Sequence, residues 1–377
     1  MIYLDYAAST PVDLSVLEVM LPYYNEKFFN PSALYLSVKA VNSDIANARL
    51  SIAKTLGSKS SELIFTAGGT EANNLAINGI MSQFSDGNIL VSSIEHDSVL
   101  EPAKQYSNNQ VSVRPDGVID VKDLKNKIND KTVLVSIMYA NNEIGTVQPI
   151  REIAQIIAVI KSDRVKSGNK LPLYLHTDGA QATNYLDMHV SKLGVDLMSI
   201  NGGKIYGPKQ TGLLYVKTGT KLKAQILGGG QERSLRSGTE NVAGIIGLSK
   251  AIQLVTDRKK SEIIRLHELQ QQFIKELQKV LPLARINGSL KHRLPNNIHI
   301  TIPGIDNERV MMELDERGIM CATGSACSAS NDEPSHVLRA IGLSDDDARS
   351  SLRFTLGAQT SALDIKKTAS ALKDICV

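Results

Sequence analysis

From about residue 60 to residue 250, short apolar, β-branched runs alternate with longer stretches whose apolar residues recur at helical spacing. The runs are Leu63 to Thr66, Ile89 to Ser92, Val133 to Met138, Leu173 to Thr177, Leu197 to Ile200 and Leu213 to Val216. Helices are predicted between them, among them Glu71 to Met81 and Ile150 to Lys161, each starting where a strand and a turn end. This alternation predicts an α/β fold with a mostly parallel sheet. Ligands of such sheets collect at the carboxyl ends of the strands.

Beyond the sheet, helical spacing runs from Val242 to about Val280, with charges clustered between Asp257 and Glu262, and reads as a bridge into a second unit. Strands are expected there near Asn297 to Ile302 and Leu352 to Thr355, with helices near Glu308 to Arg317 and Ser361 to Leu372. The expected division is a large domain over residues 13–255 and a small α+β domain from 1–12 plus 256–377, the first dozen residues packing with the latter. The basic stretch from Lys161 to Lys170 is expected to be a solvated loop before the Leu173 strand.

Composition narrows the function by exclusion. Among 377 residues, 42 Lys and Arg nearly balance 39 Asp and Glu, which gives no reason to expect direct nucleic-acid binding or an anionic membrane as partner. Three cysteines, Cys321, Cys327 and Cys376, suit neither a disulfide framework nor a metal site. The start, Met1-Ile2-Tyr3-Leu4-Asp5-Tyr6, has no basic stretch followed by an apolar run, and no segment is long enough to span a bilayer. A cytoplasmic location is the expectation.

The most informative chemistry is Asp178, in His176-Thr177-Asp178-Gly179-Ala180-Gln181, together with Lys204, in Asn201-Gly202-Gly203-Lys204. A carboxylate ending a strand can keep a pyridine nitrogen protonated, and a lysine beyond the next strand can bond covalently to an aldehyde. The pair implies pyridoxal phosphate. Phe65 to Asn74 reads as strand, glycine turn and helix start, in which Gly68 and Gly69, the first helical amides and the Thr70 hydroxyl can cradle a phosphate; an ordinary capped helix explains it too.

His96, in Glu95-His96-Asp97-Ser98, falls at a strand end where its ring could stack on a cofactor or pass protons, although a polar loop residue is the plainer reading. Asn141-Asn142-Glu143-Ile144-Gly145 offers an amide for the cofactor's phenolic oxygen, or simply a turn. The glycine-rich loop from Gly228 to Asn241 carries two arginines and Thr239 and suits anion recognition. Arg353 interrupts an apolar strand and needs an anionic partner if buried, either a substrate carboxylate or a salt bridge. Cys327 has small, polar neighbours, the setting of an accessible thiol, whereas Cys321 and Cys376 read as structural or incidental.

Taken together, these residues resemble the pyridoxal-phosphate-dependent cysteine desulfurases of the NifS/IscS type, within the class V aminotransferases of fold type I. The resemblance rests on Tyr3-Leu4-Asp5-Tyr6-Ala7-Ala8-Ser9-Thr10-Pro11, Gly68-Gly69-Thr70-Glu71, Asn141 to Gly145, Arg236-Ser237-Gly238-Thr239 and Gly324-Ser325-Ala326-Cys327, in the family's order along nearly the whole chain. It implies that Gly69, Thr70 and Thr239 bind phosphate, Thr239 across a homodimer interface, with Asn201, Gly202 and Gly203 beside it. His96 would stack on the ring, Asn142 and Gln181 would contact its oxygen, Asp178 its nitrogen, and Lys204 its aldehyde.

The same resemblance implies conversion of L-cysteine to L-alanine. Arg353, with Asn142, would hold the substrate, and Cys327 would take the sulfur as a persulfide for an acceptor protein in iron-sulfur cluster assembly or tRNA thiolation. The stretch from Cys327 through Glu333 favours the long-loop desulfurases. A selenocysteine lyase or an aminotransferase would share the cofactor site without needing Cys327, and a paralogue that binds without catalysis is a further alternative.

This chain departs from the family pattern at Asn201 and Gly203, where Ser and His are usual, and at Phe29 and Tyr35, where Gly and His are often found. The lost histidine predicts weaker cofactor retention. The end at Val377, just past the last predicted helix, implies no extended scaffold-docking tail.

Overall fold

The computed structural model describes residues 1–324 and 333–376. Its centre is a seven-stranded sheet in the order Leu63–Thr66, Gly212–Val216, Leu197–Asn201, Tyr174–Asp178, Thr132–Ser136, Asn88–Ser92, Ser107–Val111. The last five are mutually parallel, and Gly212–Val216 runs antiparallel to both its neighbours. Central strands are buried along their whole length, as strands covered by helices on both faces must be.

All six runs picked out by the hydrophobic pattern are strands, but Ser107–Val111 escaped it. Its sequence, Ser-Asn-Asn-Gln-Val, is mostly polar because it forms the sheet's edge, where side chains meet water. The expectation of a loop from Lys161 needs a larger correction: the helix Ile150–Lys166 carries straight through Arg164. That guanidinium is buried and donates to the carbonyls of Asn129, Thr132, Leu171 and Pro172, so backbone acceptors replace the solvent that its charge seemed to demand.

The helix Val242–Val280 is continuous and packs against Leu36–Leu56 at one end and Ala362–Cys376 at the other. Its far end supports a three-stranded antiparallel sheet ordered Ser351–Thr355, Asn297–Thr301, Arg285–Ile286. The chain's start joins the same region: Ile2–Tyr3 pairs parallel with Ile319–Met320, and Asp5 bridges to Thr355. The N-terminal residues therefore pass between this small sheet and the carboxyl ends of the large one. No helix among the described residues is long and apolar enough to cross a membrane.

Candidate active site

Four parallel strands deliver polar groups to one cleft. Asn88–Ser92 leads to His96, Thr132–Ser136 to Asn142, Tyr174–Asp178 ends on Asp178, and Leu197–Asn201 leads to Lys204. Gly69 and Thr70, at the start of the helix Gly69–Met81, close one side, while Gln181, Asn201 and Arg353 complete the lining with Ala7 and Ala8. Residues far apart in sequence thus meet because parallel strands all end on the same edge.

Asp178 is held by neutral donors. Asn73 Nδ2 donates to its Oδ2 at 2.7 Å and the Ala180 amide to its Oδ1 at 2.8 Å. Such bonds orient a carboxylate without offsetting its charge, which remains available to a cation. On the same strand, His176 is fully buried between the hydroxyls of Ser136 and Ser199, at 2.8 and 3.0 Å. Burial pulls its pKa down to about 4 against the pull of Asp178, so the ring is neutral at physiological pH.

Lys204 Nζ donates to the carbonyls of Ala7 and Ala8 at 2.9 and 2.5 Å, and Gln181 Nε2 donates to Ala7 at 3.0 Å. His96 caps the helix Asp97–Ala103: its Nδ1 accepts from the Ser98 amide at 3.0 Å, which places the ring at the cleft wall. Asn201 Oδ1 accepts from the Gly203 amide at 3.0 Å. Its Nδ2 lies 3.3 Å from where a Cβ on Gly69 would stand, so a larger residue at 69 would press on that amide beside the helix start.

Arg353 is a buried cation with an ionic partner. Its Nη2 donates to Asp5 Oδ1 at 2.6 Å and its Nη1 to the Asn142 carbonyl at 3.1 Å. Its Nε is buried with no hydrogen-bond partner among the described residues, and so is Asn73 Oδ1. The salt bridge and the cleft position are therefore both realised. Across the small sheet His299 faces Arg353 in register; burial first, then Arg353 and Arg293, bring its pKa down to about 3.

Gly202, Gly203 and Thr239 do not line this cleft. Gly202 is packed so that a Cβ would meet Thr211 Oγ1 at 2.5 Å, whereas a Cβ on the half-buried Gly203 would stand 3.5 Å from Asn201 Oδ1, in ordinary contact. Thr239 lines a separate hollow with Arg236 and Glu240, where Arg236 forms a two-point ion pair with Glu71. Cys327 lies outside the described residues. Cys321 is buried and its thiol is pushed up to about 12, mainly by burial, which fits a structural role; Cys376 is half-buried.

Two contributors had gone unremarked in the sequence. Asn73 sits among the buried Ala72, Leu75 and Ala76, and an amide on an apolar helix face is a signal that it serves a buried partner. Asp5 gives no such signal, because its pairing with Arg353 joins opposite ends of the chain.

The orphaned Arg353 Nε, the cation-ready Asp178 and the glycine-lined helix start fit a ligand with an anionic group, a protonated ring nitrogen and a phosphate. Residues 2–368 match the family Aminotransferase class-V, and the chain belongs to it. Within that class it is similar to the cysteine desulfurase IscS of Dictyoglomus turgidum, at 43% identity covering 99% of this chain and 94% of that protein. Among solved structures it is similar to a NifS-like protein, with TM-score 0.90 and 31% identity over 99% of this chain and 98% of the other. A NifS-like protein from Rickettsia africae gives TM-score 0.88 and 33% identity, covering 100% and 99%. The chain is a pyridoxal-phosphate-dependent cysteine desulfurase of fold type I that acts on L-cysteine.

Proposed function

We propose that the cleft converts L-cysteine to L-alanine with Arg353 on the substrate carboxylate, and that Cys327 receives the sulfur. The observation that carries this reading is Arg353 itself: a buried guanidinium facing the cleft with one N–H still unpartnered. When bound, the cofactor withdraws electrons from the substrate carbons and so allows the carbon–sulfur bond to break. Asp178 would hold a proton at the ring nitrogen, and Lys204 Nζ would hold the aldehyde and move the substrate's α-proton. His96 and Asn142 would orient the ring, the amides at Gly69 and Thr70 would take the phosphate, and Asn201 Nδ2 would stand in for a hydroxyl donor there.

The Cys327 thiolate attacks the substrate sulfur. A sulfur–sulfur bond forms as the carbon–sulfur bond breaks, the electron pair stays with carbon, and protonation there gives alanine. Residues 13–255 would carry the cofactor, and 1–12 with 256–377 the thiol and Arg353. Thr239, removed from this chain's own cleft, suits a phosphate contact in a second copy, and the exposed Leu34, Tyr35 and Leu36, consecutive in the chain, offer apolar side chains to such a homodimer. The acceptor is a cytoplasmic protein of iron-sulfur assembly or tRNA thiolation.

The test is to incubate the protein with pyridoxal phosphate and labelled L-cysteine and locate the sulfur by peptide mass. Label on the Cys327 peptide is expected; label elsewhere contradicts the assignment. Sedimentation reads the dimer, with one-chain mass as the contrary result.

A further inference from the structure

The loops that form the cleft wall have a second face. Ile94, Met138 and Ile144 are buried in one apolar cluster with Val337, Leu338, Ile341 and Ala348. Ile94 stands two residues before His96, Met138 lines the cleft itself, and Ile144 follows Asn142 and Glu143. The helix His336–Ala340 therefore packs into a socket built from the backs of the cofactor loops.

Two polar contacts fix its entry. Ser335 Oγ donates to Glu143 Oε2 at 2.6 Å and also caps its own helix, accepting from the amides of Val337 and Leu338 at 3.2 and 3.3 Å. His336 Nε2 lies 2.9 Å from the Glu95 carbonyl, which can only accept, so that nitrogen carries the proton. Glu95 is itself fully buried, its Oε1 accepting from the Met138 amide at 2.7 Å, and burial raises its pKa well above the carboxylate range. The residue before His96 and the residue after Asn142 thus each hold one end of the Ser335–His336 pair.

We propose that Ser335 and His336 are positioning residues for sulfur transfer, seating the chain downstream of Cys327 directly on the loops that carry His96 and Asn142. Neither side chain lines the cleft, so their effect passes through Glu143 and Glu95. A seat shared by both elements keeps the thiol's anchor point and the substrate pocket in one frame, and a misplaced reacting pair is costly. The proposal rests on the reading of Cys327 as sulfur acceptor.

The experiment compares Ser335→Ala and His336→Leu, which remove the contacts, with Ser335→Thr and His336→Gln, which keep a hydroxyl and an N–H donor. Loaded with pyridoxal phosphate, each is given L-cysteine in a single turnover, and persulfide on Cys327 is followed by quenched peptide mass. The first two should slow persulfide formation by about tenfold, with KM for L-cysteine and cofactor absorption unchanged at a temperature where every variant is folded, and the conservative pair should recover most of the rate. Wild-type rates in all four variants overturn the inference, as does a loss accompanied by lost cofactor or by unfolding at the assay temperature. If wild type places no sulfur on Cys327, the acceptor assignment fails and this inference with it, a result distinct from intact transfer in every variant.

Discussion

Asp178 and Arg353 are both buried charges lining one cleft, the first from the large sheet and the second from the small one, yet they are held in different ways. Asp178 is tied by an amide side chain and a backbone N–H, both neutral, and its full charge stays available to a ligand. Arg353 is tied by Asp5, so its charge is already offset before any substrate arrives. The first arrangement suits a resident cation that must stay protonated. The second suits a transient anion that must bind and leave. The neighbouring histidines, His176 near Asp178 and His299 near Arg353, are both kept neutral, chiefly by burial.

The largest effect expected from this contrast is at the neutral-held charge. Asp178→Asn should keep the Asn73 contact but lose the charge, and lower kcat by roughly a hundredfold or more. Steady-state alanine release measures it; a drop below tenfold would mean that the carboxylate is merely structural. At the other wall, Arg353→Lys keeps charge but not the fork and should raise KM for L-cysteine roughly tenfold. Asp5→Asn sharpens the comparison in the opposite sense. It removes the competing charge, so KM should fall two- to threefold, roughly, while the fold loses about 3 kcal/mol on urea unfolding because a buried guanidinium is left unpaired. A raised KM in Asp5→Asn would show that positioning outweighs charge.

How legible this was in the sequence differs between the same two walls. The Asp178 wall could be read almost whole, since strand ends in a parallel sheet converge by topology and each candidate lies a few residues past an apolar run. The Arg353 wall was half legible. An arginine in an apolar strand announces a partner, but Asp5 is brought there by the pairing of Ile2–Tyr3 with Ile319–Met320, which no local pattern encodes. Arg164 and the Ser107–Val111 strand show the same limit from the other side: a polar stretch read as a solvated loop proves helical with Arg164 buried on carbonyls, and a polar run that the apolar pattern passed over is paired at a sheet edge.

Smaller effects probe the phosphate end and the histidines. An ideal Cβ on Gly203 meets nothing nearer than Oδ1 of the cleft-lining Asn201 at 3.5 Å, so Gly203→His fits, and an imidazole reaching past Asn201 should tighten cofactor binding about tenfold by adding one donor. Equilibrium dialysis reads the constant; an unchanged value argues that another group already fills that role. His176 and His299 are neutral in the fold, with pKa values of about 4 and about 3, below the ordinary 6.5. The unfolded chain therefore takes up their protons first, and stability falls as pH drops from 6.5 toward 4. The variant His299→Asn should flatten that slope by about one proton in urea midpoints across the window, and parallel slopes would contradict the assignment.

The most direct test of the whole account is alanine release from L-cysteine by Cys327→Ala loaded with pyridoxal phosphate. If the cleft activates the substrate and Cys327 alone takes its sulfur, cofactor absorption is retained and alanine release collapses to background. Alanine release at the wild-type rate would contradict it.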